Sequence, residues 1–351
     1  MPENRIKVFS VCSGVGGLDM PFSHDDRFEV IGFSEYDKHA SAVLKYRYPE
    51  VKNYGDLTKI RFEELSDFSL LIGGTPCQSF SMAGKRAGFE GTSGLFLSFV
   101  EILKTKKPRY FLWENVKGSF SSTSGWDFAR VQIEMAEAGY DVRWELLNAK
   151  EFNIPQNRER VFAVGVLRGQ SGGELLLRSG ESKQNNKTEP SDPVRNEQPD
   201  VKELLAWSSS GRSWGREERV TKNHAHTLNT GDGCRTQSAS NYVASYNRKE
   251  GLKEKREEAH ALSSSDWRGL NRNQNQNAVV EGEPIARIRK LTPLECERLM
   301  GWPEGWTEFG DYDGEIKKMS NTQRYKQCGN GVVPQCVEPI KDLILEIVNN
   351  G

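Results

Sequence analysis

Short apolar strands alternating with helix-forming stretches predict an α/β fold built on a parallel, doubly wound sheet. Three observations carry that prediction. Residues 6–12 are an apolar run that leads straight into Ser13-Gly14-Val15-Gly16-Gly17. A second apolar run, Glu29 to Phe33, ends at Ser34-Glu35. Two later runs, Phe68 to Ile72 and Tyr110 to Trp113, end at Gly73-Gly74-Thr75-Pro76-Cys77 and at Glu114-Asn115-Val116. Open α/β sheets bind ligands at the carboxyl ends of their strands, so all four runs deliver functional side chains to one edge.

The remaining elements follow in order. A helix is expected after the first glycines and another over Lys38–Tyr48, leading to Tyr54-Gly55-Asp56-Leu57. A glycine-bearing loop, Gly84 to Gly94, separates Cys77 from a helix over Leu95–Lys106. Strands Val142–Asn148 and Arg160–Leu167 flank Ile154-Pro-Gln-Asn-Arg-Glu-Arg160. Residues 1–168 therefore read as one catalytic, ligand-binding domain. Residues 169–200, rich in Gly, Ser, Asn, Gln, Glu and Pro, carry too little apolar surface to pack and read as a linker or insertion. Residues 201–286 read as a small β-rich lobe. Within it Ala225-His226-Thr227-Leu228, then Asp232, Arg235 and Asn241, echo Ala259-His260-Ala261-Leu262, then Asp266, Arg268 and Asn277. Two copies suggest two similar hairpins, not a solenoid. Residues 287–351 turn helical again, complete the first domain and finish on an amphipathic helix over Val337–Val348.

The chain has 351 residues, a formal charge of −1 and 36% hydrophobic residues, with a mean hydropathy of −0.67. Global basicity does not advertise a nucleic-acid partner, so any such partner must be held by a local patch. Residues 201–290 supply one: sixteen Lys and Arg stand against eleven Asp and Glu, a local excess of five. The six cysteines contain no Cys-x-x-Cys pair, which argues against a zinc ribbon and a disulfide framework. No metal site is expected. No apolar run approaches the ~20 residues that span a bilayer, and the first residues lack an apolar signal region. The expectation is a protein of a reducing compartment, the cytoplasm, with no membrane partner.

Cys77, on a tight turn fixed by Pro76, is a candidate nucleophile; a buried structural thiol is the alternative. Glu114, at the end of an apolar strand, would have its pKa raised by desolvation and could donate a proton near neutrality. A carboxylate stabilising a helix N-terminus is its alternative. Gln156, Arg158 and Arg160 occupy alternate positions and would share one strand face, suited to a phosphate or a base edge. Glu35 lies 21 residues after Gly14, where a ribose-binding carboxylate sits in dinucleotide folds. With Asp56 and the glycine loop it favours an adenosine-containing cofactor, although the GxGxxG spacing of a nicotinamide site is absent.

Taken together and in order, these segments resemble the cytosine-C5 DNA methyltransferases. The matching blocks are Ser13-Gly-Val-Gly-Gly17, Ser34-Glu-Tyr-Asp37, Gly55-Asp56, Pro76-Cys77-Gln78 and Glu114-Asn115-Val116. They continue with Gln156-Asn-Arg-Glu-Arg160, Arg289-Lys-Leu-Thr-Pro-Leu-Glu-Cys-Glu-Arg-Leu-Met-Gly301 and Gly329-Asn330-Gly331-Val332-Val333-Pro334. The resemblance covers almost the whole chain outside about residues 168–286, which in that family correspond to the target recognition domain. It implies a Rossmann-like methyltransferase sheet, S-adenosyl-L-methionine as cofactor and double-stranded DNA as partner. It also implies attack of Cys77 on C6 of a flipped-out cytosine. Glu114 would act at N3, Arg160 at O2, and Arg158 would stand with them in the catalytic group.

Carried over residue by residue, the cofactor set is Ser13, Gly14, Gly16, Gly17, Glu35, Tyr36, Asp56, Leu57, Pro76, Leu95, Asn330 and Val332. Gln78, Ser81, Lys85 and Arg86 would belong to a lid that grips DNA, joined by Gln156. In the recognition lobe Arg235, Gln237, Arg268, Arg272 and Gln274 are candidates for base or phosphate contacts, and His226 and His260 for supporting their hairpins. Two departures stand out: Ser10-Val11-Cys12 replaces the usual Asp-x-Phe, and Gly-Asn-Gly replaces the commoner Gly-Asn-Ser. Further expectations are a monomer, a bacterial or phage setting, and a restriction endonuclease that, where present, acts separately. A tRNA cytosine methyltransferase and a catalytically silent DNA-binding relative are the rival readings.

Overall fold

The computed structural model describes residues 5–76, 93–117, 126–170, 242–249, 251–256, 258–270, 274–281 and 287–350. Strands β1 (Ile6–Val11), β2 (Phe28–Ser34), β3 (Lys52–Asn53), β4 (Leu70–Gly73) and β5 (Tyr110–Val116) precede β6 (Tyr140–Asn148), the short β7 (Gln156–Asn157) and β8 (Glu159–Leu167). All except β7 form one sheet in the order β3-β2-β1-β4-β5-β8-β6. Successive residues of a strand face opposite sides, and both sides are buried. Val8, Leu70, Ile72 and Leu112 pack into one core with Met300, Trp302, Ile340 and Ile344. Phe9, Val11, Leu71, Phe111 and Trp113 pack into the other with Phe99 and Leu103. The helices supplying the first half are α1 (Met20–Ser23), α2 (Lys38–Arg47), α3 (Ser93–Lys106) and α4 (Trp126–Glu137).

Neighbours among β1 to β5 are parallel, as the alternation predicts. The far edge corrects that prediction. Strand β8 inserts between β5 and β6 and runs antiparallel to both. The link from Asn148 to Glu159 holds only a 3₁₀ turn at Ala149–Phe152 and the short β7. A parallel return needs a crossover of a dozen or more residues, so the chain must double back.

The small lobe contains an antiparallel sheet in the order β10-β9-β12-β13, from β9 (Tyr242–Asn247), β10 (Gly251–Lys255), β12 (Gln276–Glu281) and β13 (Arg287–Lys290). Its last strand comes from the segment read as the start of the C-terminal part. Among the described residues the second repeat copy does not close its own hairpin. Its strand β11 (Ala259–His260) pairs instead with β7 of the large domain. Asn277 accepts from the His260 N–H at 2.7 Å and donates to its carbonyl at 2.9 Å, while His260 Nε2 meets the Ser245 hydroxyl at 3.2 Å. The first copy as far as Asn241, and the expected linker from residue 171, lie outside the described residues.

The C-terminal segment contributes α5 (Pro293–Leu299), α6 (Asn321–Asn330) and α7 (Glu338–Asn350). Thr292 and Glu295 close a capping box at the start of α5. Between α5 and α6 lies an unforeseen hairpin, β14 (Phe309–Tyr312) and β15 (Glu315–Lys318). Its Asp313-Gly314 turn has φ of 56° and 93°, the paired positive angles that an Asp-Gly turn favours. Among the described residues no helix is long and apolar enough to cross a membrane.

Candidate active site

Strands β1, β2, β4 and β5 are parallel, so Ser13, Glu35, Thr75-Pro76 and Glu114 gather at one sheet edge. A side chain at Gly73 would collide with Val11, and a Cβ at Gly74 would stand 2.8 Å from Glu114 Oε2. Contact with the Val11 backbone therefore requires glycine at 73, and at Gly74 the chain leading to Cys77 passes against the Glu114 carboxyl. Thr75 is buried and held twice by β5. Its Oγ1 accepts from the Trp113 indole at 2.8 Å, and its carbonyl accepts from Asn115 Nδ2 at 2.9 Å. The two residues flanking Glu114 thus fix the peptide ahead of Pro76. Cys77 itself lies outside the described residues.

Antiparallel register brings Arg160 to the same place. Phe162 stands opposite Glu114 and Arg160 opposite Val116, so Glu114 and Arg160 are diagonal neighbours on one sheet face. Arg160 Nε lies 3.1 Å from Glu114 Oε1. Burial drives the Glu114 carboxyl above its ordinary pKa, against the opposing pull of Arg160 and then Arg158. The result is a shielded acid beside a cation.

Arg158 and Gln156 do not share that face, because the strand breaks between β7 and β8. Arg158 is 1% exposed. Its guanidinium donates to the carbonyls of Leu262 (3.1 Å), Gly329 (2.9 Å) and Gly331 (2.6 Å). Desolvation lowers its pKa to about 9. Gln156 is 0% exposed; it donates to Leu299 O at 2.6 Å and accepts from Leu262 N at 3.1 Å. Both expectations change accordingly: Arg158 clamps two backbone segments, at Leu262 and at Gly329–Gly331, and Gln156 has no free edge for DNA.

The first glycine loop and Glu35 form a cradle. Gly14 (φ +58°) and Gly16 (φ +86°) adopt left-handed conformations that a side chain would strain. A Cβ at Gly14 would meet nothing within 4 Å, so the loop is open there. Glu35 accepts from Gly14 N at 2.8 Å and from Asp37 N at 2.7 Å, and its pKa is raised mainly by burial. Asn53 holds its backbone, accepting from Glu35 N at 3.0 Å and donating to Glu35 O at 3.1 Å. Next to it the Tyr36 ring is 78% exposed, an open apolar face beside a carboxylate. Asp56 caps a 3₁₀ turn, accepting from Thr58 N, and its other oxygen lies 3.2 Å from Lys59 Nζ. Leu57 is buried among Phe9 and Phe62, and Leu95 packs against the same core. Ser13 is buried, its hydroxyl 2.8 Å from that of Ser10. Gly17 and Val332 are in contact: a Cβ at Gly17 would lie 2.6 Å from Val332 O. Asn330 is exposed beside them. An open glycine loop, a carboxylate and a free aromatic face fit an adenosine-bearing cofactor.

Cys12 has φ of 52°, and burial, aided by the Glu35 charge, pushes its thiol up to about 12. Burial likewise raises Cys296, Cys328 and Cys336. Burial therefore disfavours the thiolate at all four described cysteines.

Residues 6–346 match the sequence profile of the C-5 cytosine-specific DNA methylases. The chain belongs to that family. Across 98% of its length it is 32% identical to the orphan methyltransferase M.SPRI of Bacillus phage SPR, covering 99% of that protein. It is 29% identical to the type II methyltransferase M1.ScrFI of Lactococcus lactis subsp. cremoris, over 99% of this chain and 81% of the relative. Among solved structures it resembles the Dnmt2 methyltransferase of S. pombe, with a TM-score of 0.67 and 18% identity over 98% of this chain and 100% of that one. A putative DNA modification methyltransferase from an E. coli prophage gives 0.60 and 21% identity over 98% and 99%. These last two likenesses bear on the fold alone.

In this methylase the expected DNA-contacting residues Gln78, Ser81, Lys85, Arg86, Arg235, Gln237 and Arg272 lie outside the described residues, as does His226. Arg268 and Gln274 are exposed, and the Arg268 guanidinium lies over the Trp267 ring at 5.4 Å. Among the described residues no group of three or more His, Cys, Asp or Glu could hold a metal ion. Sequence reasoning missed Thr75 and Asn53. Only Thr75 carried a signal, its place between the glycine pair and Pro76.

Proposed function

We propose that this protein is a site-specific DNA methyltransferase that uses S-adenosyl-L-methionine to modify C5 of a flipped-out cytosine through a covalent bond from Cys77 to C6. One observation carries the reading. Glu114, shielded and paired with Arg160, sits in contact with the glycine that leads into Pro76-Cys77. Cytosine C5 is a weak nucleophile, and the residues of this edge are suited to changing that. The Cys77 thiolate adds to C6, saturating the 5,6 bond and leaving C5 enamine-like. Negative charge develops at N3 and O2. Glu114 holds a proton for N3, and the Arg160 guanidinium stabilises charge at O2.

Bound S-adenosyl-L-methionine supplies an electrophilic methyl group. Glu35 would hold its ribose hydroxyls, Tyr36 its adenine face, and Asp56 with Leu57 the adenine edge; the glycine loop, Pro76, Leu95, Asn330 and Val332 would surround the methionine end. After transfer to C5 a base removes the C5 proton, and the cysteine leaves C6 with the bonding pair. Cytosine C6 is inaccessible in stacked DNA, so the base must leave the helix. The residues between Cys77 and Ser93 and the recognition lobe would hold the opened duplex. The protein would act as a monomer in the cytoplasm of a bacterial or phage-infected cell, with any endonuclease acting separately.

The test is expression in a host lacking cytosine methylation, bisulfite sequencing of the host DNA, and Cys77→Ser as control. A short motif modified near completion by the wild type alone supports the proposal. No modified DNA cytosine refutes it, and modified tRNA in the same cells would establish the rival reading. Covalent trapping on 5-fluorocytosine duplex separates a working enzyme from a silent DNA-binding relative.

A further inference from the structure

Glu297 is 0% exposed and has no place in the chemistry above. From α5 its carboxylate accepts from Gly305 N at 2.8 Å, from Thr307 N at 3.0 Å and from the Thr307 hydroxyl. Arg324 of α6 pairs with it at 2.8 Å. The turn between Pro303 and Glu308 is thus wrapped around a buried charge. Arg47 of α2 grips the same turn, with its guanidinium 4.7 Å from the Trp306 ring centre. It donates to the carbonyls of Trp306, at 2.9 Å, and Gly305.

Two indoles stand here, Trp306 within the turn and Trp302 immediately before it. Trp306 Nε1 donates to Val15 O at 2.8 Å, and Trp302 Nε1 donates to Val332 O at 2.9 Å. Val15 lies within the first glycine loop and Val332 in the last sequence block, so the two bonds brace loops from opposite ends of the chain. Trp302 also fills the space beside Gly331, where a side chain would run into its ring. The Val15 carbonyl shares a peptide plane with Gly16 N–H, which donates to Ser13 O at 3.0 Å. That plane is therefore held at both ends. Glycine-rich loops lose the most backbone freedom on ordering, and fixing them beforehand lowers the entropy cost of binding.

We infer that Trp302 and Trp306 are positioning residues for the cofactor, holding the Val332 and Val15 carbonyls so that both loops keep their binding shape. The inference rests on the S-adenosylmethionine reading above and assigns it two residues that are distant in sequence from both loops. Their indoles bond to the loops and not to the Glu114–Arg160 pair. The effect therefore falls on binding, not on the chemical step.

Trp302→Phe and Trp306→Phe keep an aromatic ring and remove the donor. Calorimetric titration with S-adenosylhomocysteine should show each variant binding about tenfold more weakly, as for a buried carbonyl left unpaired. KM for S-adenosylmethionine should rise to match, with kcat held within about twofold. In the intact wild-type chain, ¹⁵N-indole spectra should show these two N–H groups exchanging slowly with solvent, and more slowly still with S-adenosylhomocysteine. That measurement stands even where a variant fails to fold. Unchanged affinity in both variants, a fall in kcat at constant KM, or rapid exchange of either indole overturns the inference. A wild-type chain that binds no S-adenosylhomocysteine overturns the cofactor reading and this inference together. Wild-type binding with unaltered variants overturns the bracing alone.

Discussion

Arg160 Nε stands 3.1 Å from Glu114 Oε1, and the carboxyl still keeps a raised pKa because its burial outweighs the pull of two guanidiniums. A surface pair at that distance would hold the carboxylate ionised. Here desolvation favours the neutral acid, and the neighbouring cation remains available for charge that develops elsewhere.

Glu114→Gln should lower kcat by about 10²–10³-fold, the range for removing a positioned acid or a charge-stabilising donor, with little change in cofactor affinity. Because the proton is held below the raised pKa and lost above it, wild-type activity should fall as pH climbs through that value. The glutamine variant should lack this alkaline limb. Single-turnover rates against pH for both proteins check the point; a limb that persists in the variant assigns it to another group.

Gln156→Ala should behave as a structural lesion. It leaves the Leu299 carbonyl and the Leu262 N–H without their buried partner, a loss of about 2–4 kcal/mol. Urea unfolding should show the drop, and the salt dependence of DNA binding should stay as in the wild type. A shallower salt slope without loss of stability would restore the expectation that Gln156 contacts DNA.

Asp19 is buried beneath the glycine loop, and its pKa rises to about 7, mainly from burial with a smaller push from Glu35 and a partial offset from Ser10. The folded chain holds a proton that the unfolded chain releases near pH 4. The associated stability is complete below that pH and is lost as pH rises through about 7. Asp19→Asn should therefore stabilise the protein by about 2–4 kcal/mol at pH 8 and by less at pH 5. Chemical denaturation at the two pH values tests the sign. Equal effects at both would rule out titration of Asp19 as the cause.

Thr75→Val preserves shape but removes the Oγ1 that accepts from the Trp113 indole. Loosening the peptide ahead of Pro76 should lower kcat by about tenfold, in line with small displacements of a reacting group, with KM for DNA nearly unchanged. Steady-state kinetics would show the split; a change confined to KM would place Thr75 in binding.

Much of the site was legible because parallel strands end where their apolar runs end. Glu35, Glu114 and the Gly73-Gly74 turn were placed by runs that stop abruptly at polar or glycine residues. Gln156 and Arg158 were misplaced because period-two alternation assumes one continuous strand, and the break between β7 and β8 leaves no mark in the sequence. The hairpin at Asp313-Gly314 did leave one, an Asp-Gly pair set in a segment that otherwise reads as helical. Trp302 and Trp306 were invisible as site residues: a tryptophan in an apolar context reads as core, and its N–H acquires meaning only from the carbonyl it meets.

By itself the sequence determined the order of strands and turns, the chemical groups at their ends and the family, since periodicity and local turn chemistry are properties of neighbouring residues. Tertiary structure alone decided the direction of β8. Run parallel, that strand would carry Arg160 to the opposite end of the sheet; reversed, it sets the guanidinium against Glu114. Loop length and long-range pairing control that reversal, and local sequence does not encode them.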